Sequence, residues 1–354
     1  MTVSKVLILS PVLLLAGCAI RVGPKLIKPD RFDYTAAIAS SWKTQMLTNL
    51  VKLRYLEPPL FLEISQVVAQ YSWDTSAEVH TPDWTSTMIP GASATGRWAE
   101  SPTFTYAPMT GEKFTKSLLQ PVAPASLLEL VQAGWPIDFV FAEAVRSING
   151  IHAPSNLQLT KNAGDPRFVR VLSLLRELQL SDTISMRVVK KEDSQDITVE
   201  FEPRTTDESL KAKSQEVRKL LGLKAEQKEF KVVFGAVAKD DTELALATRS
   251  IFEVLGEGAA GVDVPEAHVK EGRVIDMTSA AAALASAAQV HVRTTPNRPD
   301  PDEAYVSMKF KGHWFWVDDK DVRSKRGLGF LMILATLAEA GTSIAPPVLT
   351  ISKP

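Results

Sequence analysis

The side chains able to do chemistry are few and scattered. Five histidines, His80, His152, His268, His291 and His313, occur in 354 residues, and none is paired at a spacing that would let two imidazoles hold one zinc ion. No metal site is expected from such a set. A serine nucleophile needs a sharp turn of the Gly-x-Ser-x-Gly kind, and the nearest stretch, Gly91-Ala92-Ser93-Ala94-Thr95-Gly96, places its second glycine one residue too far. Carboxylates cluster at Asp300, Asp302 and Glu303 and again at Asp318, Asp319 and Asp321. The first group lacks the spaced ligands and glycine of a calcium loop, and the second precedes an expected helix, where negative charge meets the positive dipole end. No glycine-rich phosphate loop or dinucleotide fingerprint occurs, so no cofactor is expected. The sequence favours a non-enzymatic protein over an enzyme of unrecognised type.

Tryptophan is the remaining residue type with binding capacity. Trp73, Trp84 and Trp98 are spread through residues 72–100, a stretch otherwise dominated by Ser, Thr, Gly and Pro. Disordered segments are poor in aromatic residues. A loop or β-hairpin extension is therefore expected there, packing onto its own domain, a partner or a membrane surface, with these three as candidate interaction residues. Trp314 and Trp316 fall on one face of an expected strand, with His313, Phe315 and Val317 on the other. Two such indoles form either a sugar-binding platform or core.

The single cysteine has the clearest context. Lys5 is the only early charge, an apolar run follows from Val6 to Ala16, and the run closes on Leu15-Ala16-Gly17-Cys18. That layout is a signal peptide, too short to span a bilayer as a stable helix. Leu15-Ala16-Gly17-Cys18 resembles the lipobox of bacterial lipoproteins. The resemblance implies cleavage before Cys18, a diacylglyceryl group on its thiol, and, with Ala19 next, a periplasm-facing anchor in the outer membrane. A chain whose one thiol is consumed by lipid is suited to an oxidising compartment.

Removing residues 1–17 takes away Lys5 alone among the charges, leaving 39 basic against 41 acidic side chains, a net charge of −2. Nothing in that balance points to nucleic acid. Arg21, Lys25, Lys28 and Arg31 could sit over anionic headgroups or simply solvate a linker.

The elements that must position these residues read as α+β, with helices mixed among mainly antiparallel strands. The expected organisation is a signal peptide at 1–17, a lipidated N-terminus and linker at 18–31, an N-terminal region at 32–160 and a C-terminal region at 161–354, the last two being candidate subdomains. A long amphipathic helix is expected over 34–56 and a strand over 60–71. A turn is expected at Asn149-Gly150, a helix starting at Asp165-Pro166, a hairpin over 184–201 and a helix over 241–255. The Ala-rich stretch 279–288 reads as a peripheral helical turn, 289–293, 304–310 and 313–317 as the strands of an antiparallel meander, 321–340 as a core helix and 348–351 as an edge strand. The expected role is a structural or protein-interaction module of the cell envelope with an envelope protein as partner. The alternative is a periplasmic ligand- or carbohydrate-binding protein using Trp314 and Trp316.

Overall fold

The computed structural model describes residues 27–68, 71–80, 91–100, 103–155, 164–190, 195–201, 207–275 and 290–339. Cys18, Trp84, the Ala-rich stretch 279–288 and the expected strand 348–351 lie outside them.

The fold is α+β. Its larger sheet runs in the order β6 (Ile151–His152), β5 (Val145–Ile148), β10 (Glu243–Thr248), β9 (Glu229–Phe234), β8 (Gln195–Phe201), β7 (Ile184–Lys190). All neighbours are antiparallel except β9 and β10. Alternation along β9 buries Phe230 and Val232 and exposes Glu229 and Lys231, so one face of the sheet is covered. The cover is α3 (Pro124–Gln132), α4 (Ile137–Ala144), α5 (Pro166–Leu180) and α6 (Glu208–Leu221). Leu128, Phe141, Leu175 and Leu221 from these helices meet Ile148, Val199 and Leu244 from the sheet.

The second layer is built from the C-terminal half of α1 (Ile27–Arg54), α7 (Ile251–Ala259), α9 (Val322–Glu339) and a small sheet, β11 (Arg293–Thr295), β13 (His313–Asp318), β12 (Ala304–Phe310), in that order. The short helices α2 (Gly111–Phe114, continued by a π turn to Leu119) and α8 (Glu266–Lys270) complete it. Gly258 lets α1 approach α7, since a Cβ there would come within 3.1 Å of the Leu50 side chain. The two layers share one continuous core from Leu47 to Leu334. The boundary drawn near residue 160 falls inside the larger sheet, because β5 and β6 precede it and β7 to β10 follow it.

Local signals explain several elements. Asn149 (φ 44°) and Gly150 (φ 79°) make the β5–β6 turn with both residues in the left-handed region, which Asn-Gly tolerates best. The Asn149 amide donates to the Leu221 carbonyl at 2.8 Å and accepts from the Ala245 N–H at 2.6 Å, tying the turn to α6 and β10. Asp165 caps α5 by accepting from the Arg167 N–H at 2.9 Å, with Pro166 in the first turn. Ser250 and Glu253 form a reciprocal capping box on α7.

Two expectations are corrected. The helix expected over 241–255 is a strand, β10, followed by a helix that begins only at Ile251. Glu243-Leu-Ala-Leu-Ala-Thr has helical propensity, but its place between β9 and β5 buries Leu244 to Thr248 and overrides it. The linker expected to reach residue 31 is shorter, because α1 already starts at Ile27, with Pro29 tolerated in its first turn.

Candidate functional site

Residues 62–108 leave the body as a two-stranded ribbon. β1 (Leu62–Val68) pairs with β4 (Thr103–Pro108), and β2 (Tyr71–His80) pairs with β3 (Gly91–Glu100), each antiparallel. The β1–β4 ladder shifts by one residue between Ile64 and Gln66; beyond that bulge Val68 opposes Thr103, and Tyr71 opposes Glu100 in the same register. Among the described residues no third strand joins either ladder. At about 3.3 Å per residue β1 rises about 20 Å and β2 about 30 Å.

The expected extension at 72–100 is thus a hairpin, with Trp73 and Trp98 directly opposite each other. Its sequence alternates over most of its length. Tyr71, Trp73, Thr75, Ala77 and Val79 share one face with Glu100, Trp98, Gly96, Ala94 and Ala92. Ser72, Asp74, Ser76, Glu78 and His80 share the other, where Asp74 opposes Arg97. Gly91-Ala92-Ser93-Ala94-Thr95-Gly96 lies in β3 as regular strand, which supplies no sharp turn for a nucleophile.

Helix α1 runs beside the base of this ribbon. Gln45 Oε1 accepts from the Leu62 N–H at 2.8 Å, and the Tyr34 ring lies 6.0 Å from that of Phe104, whose register partner is Val67. The helix covers about 17 Å between those contacts and the strand the same distance, so the two travel together. Continuing from Tyr34 to Ile27 adds about 10 Å, which brings the start of α1 level with the start of β2. Phe32 is 64% exposed on this projecting half, whereas Met46, Leu47, Leu50 and Val51 of the other half are core.

The tryptophans of β13 occupy the outer face of the small sheet. Phe315 and Val317 are fully buried, while Trp314 and Trp316 are half-buried. The Arg298 guanidinium lies 5.4 Å from the Trp314 ring and that of Arg293 5.3 Å from the Trp316 ring. Those cations occupy the ring faces a sugar would stack on. The carboxylates nearby have local partners: Asp318 pairs with Arg293 at 2.9 Å, and Asp321 caps the Ser324 N–H at 3.0 Å.

Sequence reasoning missed the site richest in charge. A cleft of about 760 Å³ opens between α4, α5, α7 and α9 and is lined by Glu143, Arg176, Arg249, Glu257, Arg323 and Arg326, among others. Arg249 and Glu257 are buried, 3.9 Å apart. Arg249 donates to the carbonyls of Ala142 and Glu143 at 2.9 Å and of Pro154 at 2.8 Å, and Ser155 Oγ donates to Glu257 at 2.6 Å. Burial pushes the Glu143 carboxyl up to about 7, against the opposing pull of Arg249 and with help from the Glu257 charge. The one signal in the sequence was carboxylates inside two apolar runs, Glu143 in Phe139 to Val145 and Glu253 and Glu257 in Ile251 to Ala260.

That cleft can do two things chemically. Its arginines favour an anion, and Glu143 can exchange a proton near neutral pH. The second property has a measurable consequence. Because the folded carboxyl titrates about 7 and the unfolded one near 4.5, stability falls as pH rises through that window. At about 1.4 kcal/mol per pH unit the deficit reaches about 3 kcal/mol above pH 7. Glu143→Gln is therefore expected to be more stable than the native chain at pH 8 by up to about 3 kcal/mol, with much less advantage at pH 4.5. Urea midpoints at the two pH values check this, and an equal difference at both would contradict it.

Two of the five histidines do meet. The His268 and His313 rings are 5.0 Å apart, and the Tyr55 hydroxyl lies 2.6 Å from His268 Nδ1. Burial, helped by the Arg273 and His313 charges, holds His268 below its ordinary range, so it packs as a neutral ring. Among the described residues no group of three or more metal-binding side chains forms, and no helix is long and apolar enough to cross a membrane.

The elements define an α+β body carrying a projecting helix and ribbon. No protein-family model, no curated protein and no solved structure matches this chain.

Proposed function

We propose that the protein is a lipoprotein, anchored through acylated Cys18 in a membrane facing the periplasm, and that it acts as an interaction module of the cell envelope through the ribbon 62–108. The ribbon carries this reading. A two-stranded hairpin is marginal alone in water, and among the described residues no further strand pairs with either edge of β2 and β3, where another strand can add. The anchor rests on the signal layout and on Leu15-Ala16-Gly17-Cys18. No nucleic-acid role is part of it.

Photo-reactive residues at Ser72, Ser76 and Ser93 should capture protein neighbours in the intact envelope. Joining Val68 to Thr103 by a short turn, which removes β2 and β3, should abolish assembly and leave the body's thermal unfolding unchanged. Assembly that survives this excision would sink the ribbon as the interaction element.

A second reading is favoured by the charged cleft: binding of a small anionic ligand by Arg249, Arg323 and Arg326. It replaces Trp314 and Trp316 as the ligand site, since arginines already cover those indoles.

A further inference from the structure

We propose that β2 and β3 are membrane-inserting strands which, placed beside the same hairpin from neighbouring copies, close into a β-barrel across the bilayer. This rests on the lipid-anchor reading above and names the ribbon's partners: lipid on one face, further copies of this chain along both edges.

Four observations carry it. Each strand is 10 residues long, within the 9–11 that a tilted strand needs to cross hydrocarbon. The faces alternate, with Trp73, Thr75, Ala77 and Val79 and their partners Trp98, Gly96, Ala94 and Ala92 on one, joined at the body end by Tyr71 opposite Glu100, and Asp74, Ser76, Glu78 and His80 on the other, the dyad pattern of a barrel whose one carboxylate on the lipid side, Glu100, falls at the interface level. Trp73 and Trp98 oppose each other near the body end, a level at which barrels carry aromatic residues. The start of α1 is level with the start of β2, and Cys18 precedes Ile27 by only nine residues, which reach at most about 30 Å and so limit how far an acyl anchor can stand from the hairpin.

Closure follows from the edges. A lone hairpin in hydrocarbon would leave two rows of backbone donors and acceptors without partners, at several kcal/mol per group. Only a closed ring satisfies them, and the smallest barrels have about eight strands, which requires at least four copies.

The test uses the full mature chain in vesicles of phosphatidylethanolamine and phosphatidylglycerol. Acylation blocks Cys18, so single cysteines at Ser76, Ala77, Glu78 and Val79 each carry one fluorophore, with Val169→Cys on the body as control. Nitroxide-bearing lipid should quench labels at 77 and 79 by ~threefold more than those at 76 and 78, iodide should show the reverse, and 169 should respond to iodide alone. Detergent-extracted complexes should contain four or more copies. Equal quenching at all four hairpin positions, or particles no larger than dimers, would overturn the proposal. Palmitate labelling separates the two readings. Acylated, vesicle-bound protein without the alternation overturns the barrel and leaves the anchor standing. Alternation in a chain without acyl groups supports insertion and overturns the anchor alone, and a chain that does not bind vesicles overturns both.

Discussion

Replacing Arg249 with leucine is expected to cost about 3–5 kcal/mol of folding stability. The residue is 5% exposed and ties four segments together: the last turn of α4 through the Ala142 and Glu143 carbonyls, the chain after β6 through Pro154, α7 through Glu257, and the turn at Val122, whose N–H donates to its carbonyl at 3.0 Å. Leucine fills much of the volume but removes the guanidinium 3.9 Å from the Glu257 carboxylate, which is 7% exposed. It also strips a positive charge from the negative end of α4. Arg249→Lys keeps the charge yet cannot reach three carbonyls at once, so an intermediate loss is expected. Adding Glu257→Gln to the leucine variant should recover part of the loss, because the buried charge goes with it. Urea unfolding followed by circular dichroism measures all three variants. A loss below about 1 kcal/mol for Arg249→Leu would show that water reaches and screens the pair.

The second large effect is at the other end of the molecule. In the proposed lipoprotein, Cys18→Ala removes the only thiol able to accept a diacylglyceryl group, so acyl labelling should vanish rather than diminish. Residues 1–17 should then remain attached, since the resemblance to the lipobox implies that cleavage follows lipidation. Several acyl chains bind a bilayer far more firmly than one, at about 0.8 kcal/mol per buried CH₂. Their loss should release the body from the outer-membrane fraction. Normal cleavage and lipid labelling in the alanine variant would overturn the assignment of Cys18.

What was legible in the sequence follows from how local each signal is. Asp165-Pro166 and Asn149-Gly150 act through their own backbone angles and caps, and both stand where expected. The hairpin over 184–201 alternates over its own length and pairs with itself. The segment 72–100 declared its aromatic character, but the alternation of β2 and β3 emerges only when the two are set in register, because glycines, alanines and serines dilute it. β10 misled because its leucines and alanines suit a helix, and only the neighbouring strands decide otherwise. The charged cleft was invisible for a related reason. Glu143 of α4, Arg249 just before α7, Glu257 within it and Arg323 of α9 are brought together by long-range packing.

The lipid anchor bears most directly on everything proposed for the ribbon, because it fixes which surface β2 and β3 face. Mass spectrometry of the N-terminal peptide, taken from chain purified out of the outer membrane of a Gram-negative host, tests it in one step. The expected species begins at Cys18, continues through Ala19, and carries a diacylglyceryl group on sulfur. A free thiol at Cys18, or a chain that keeps Met1 and fractionates with soluble periplasmic protein, would contradict it.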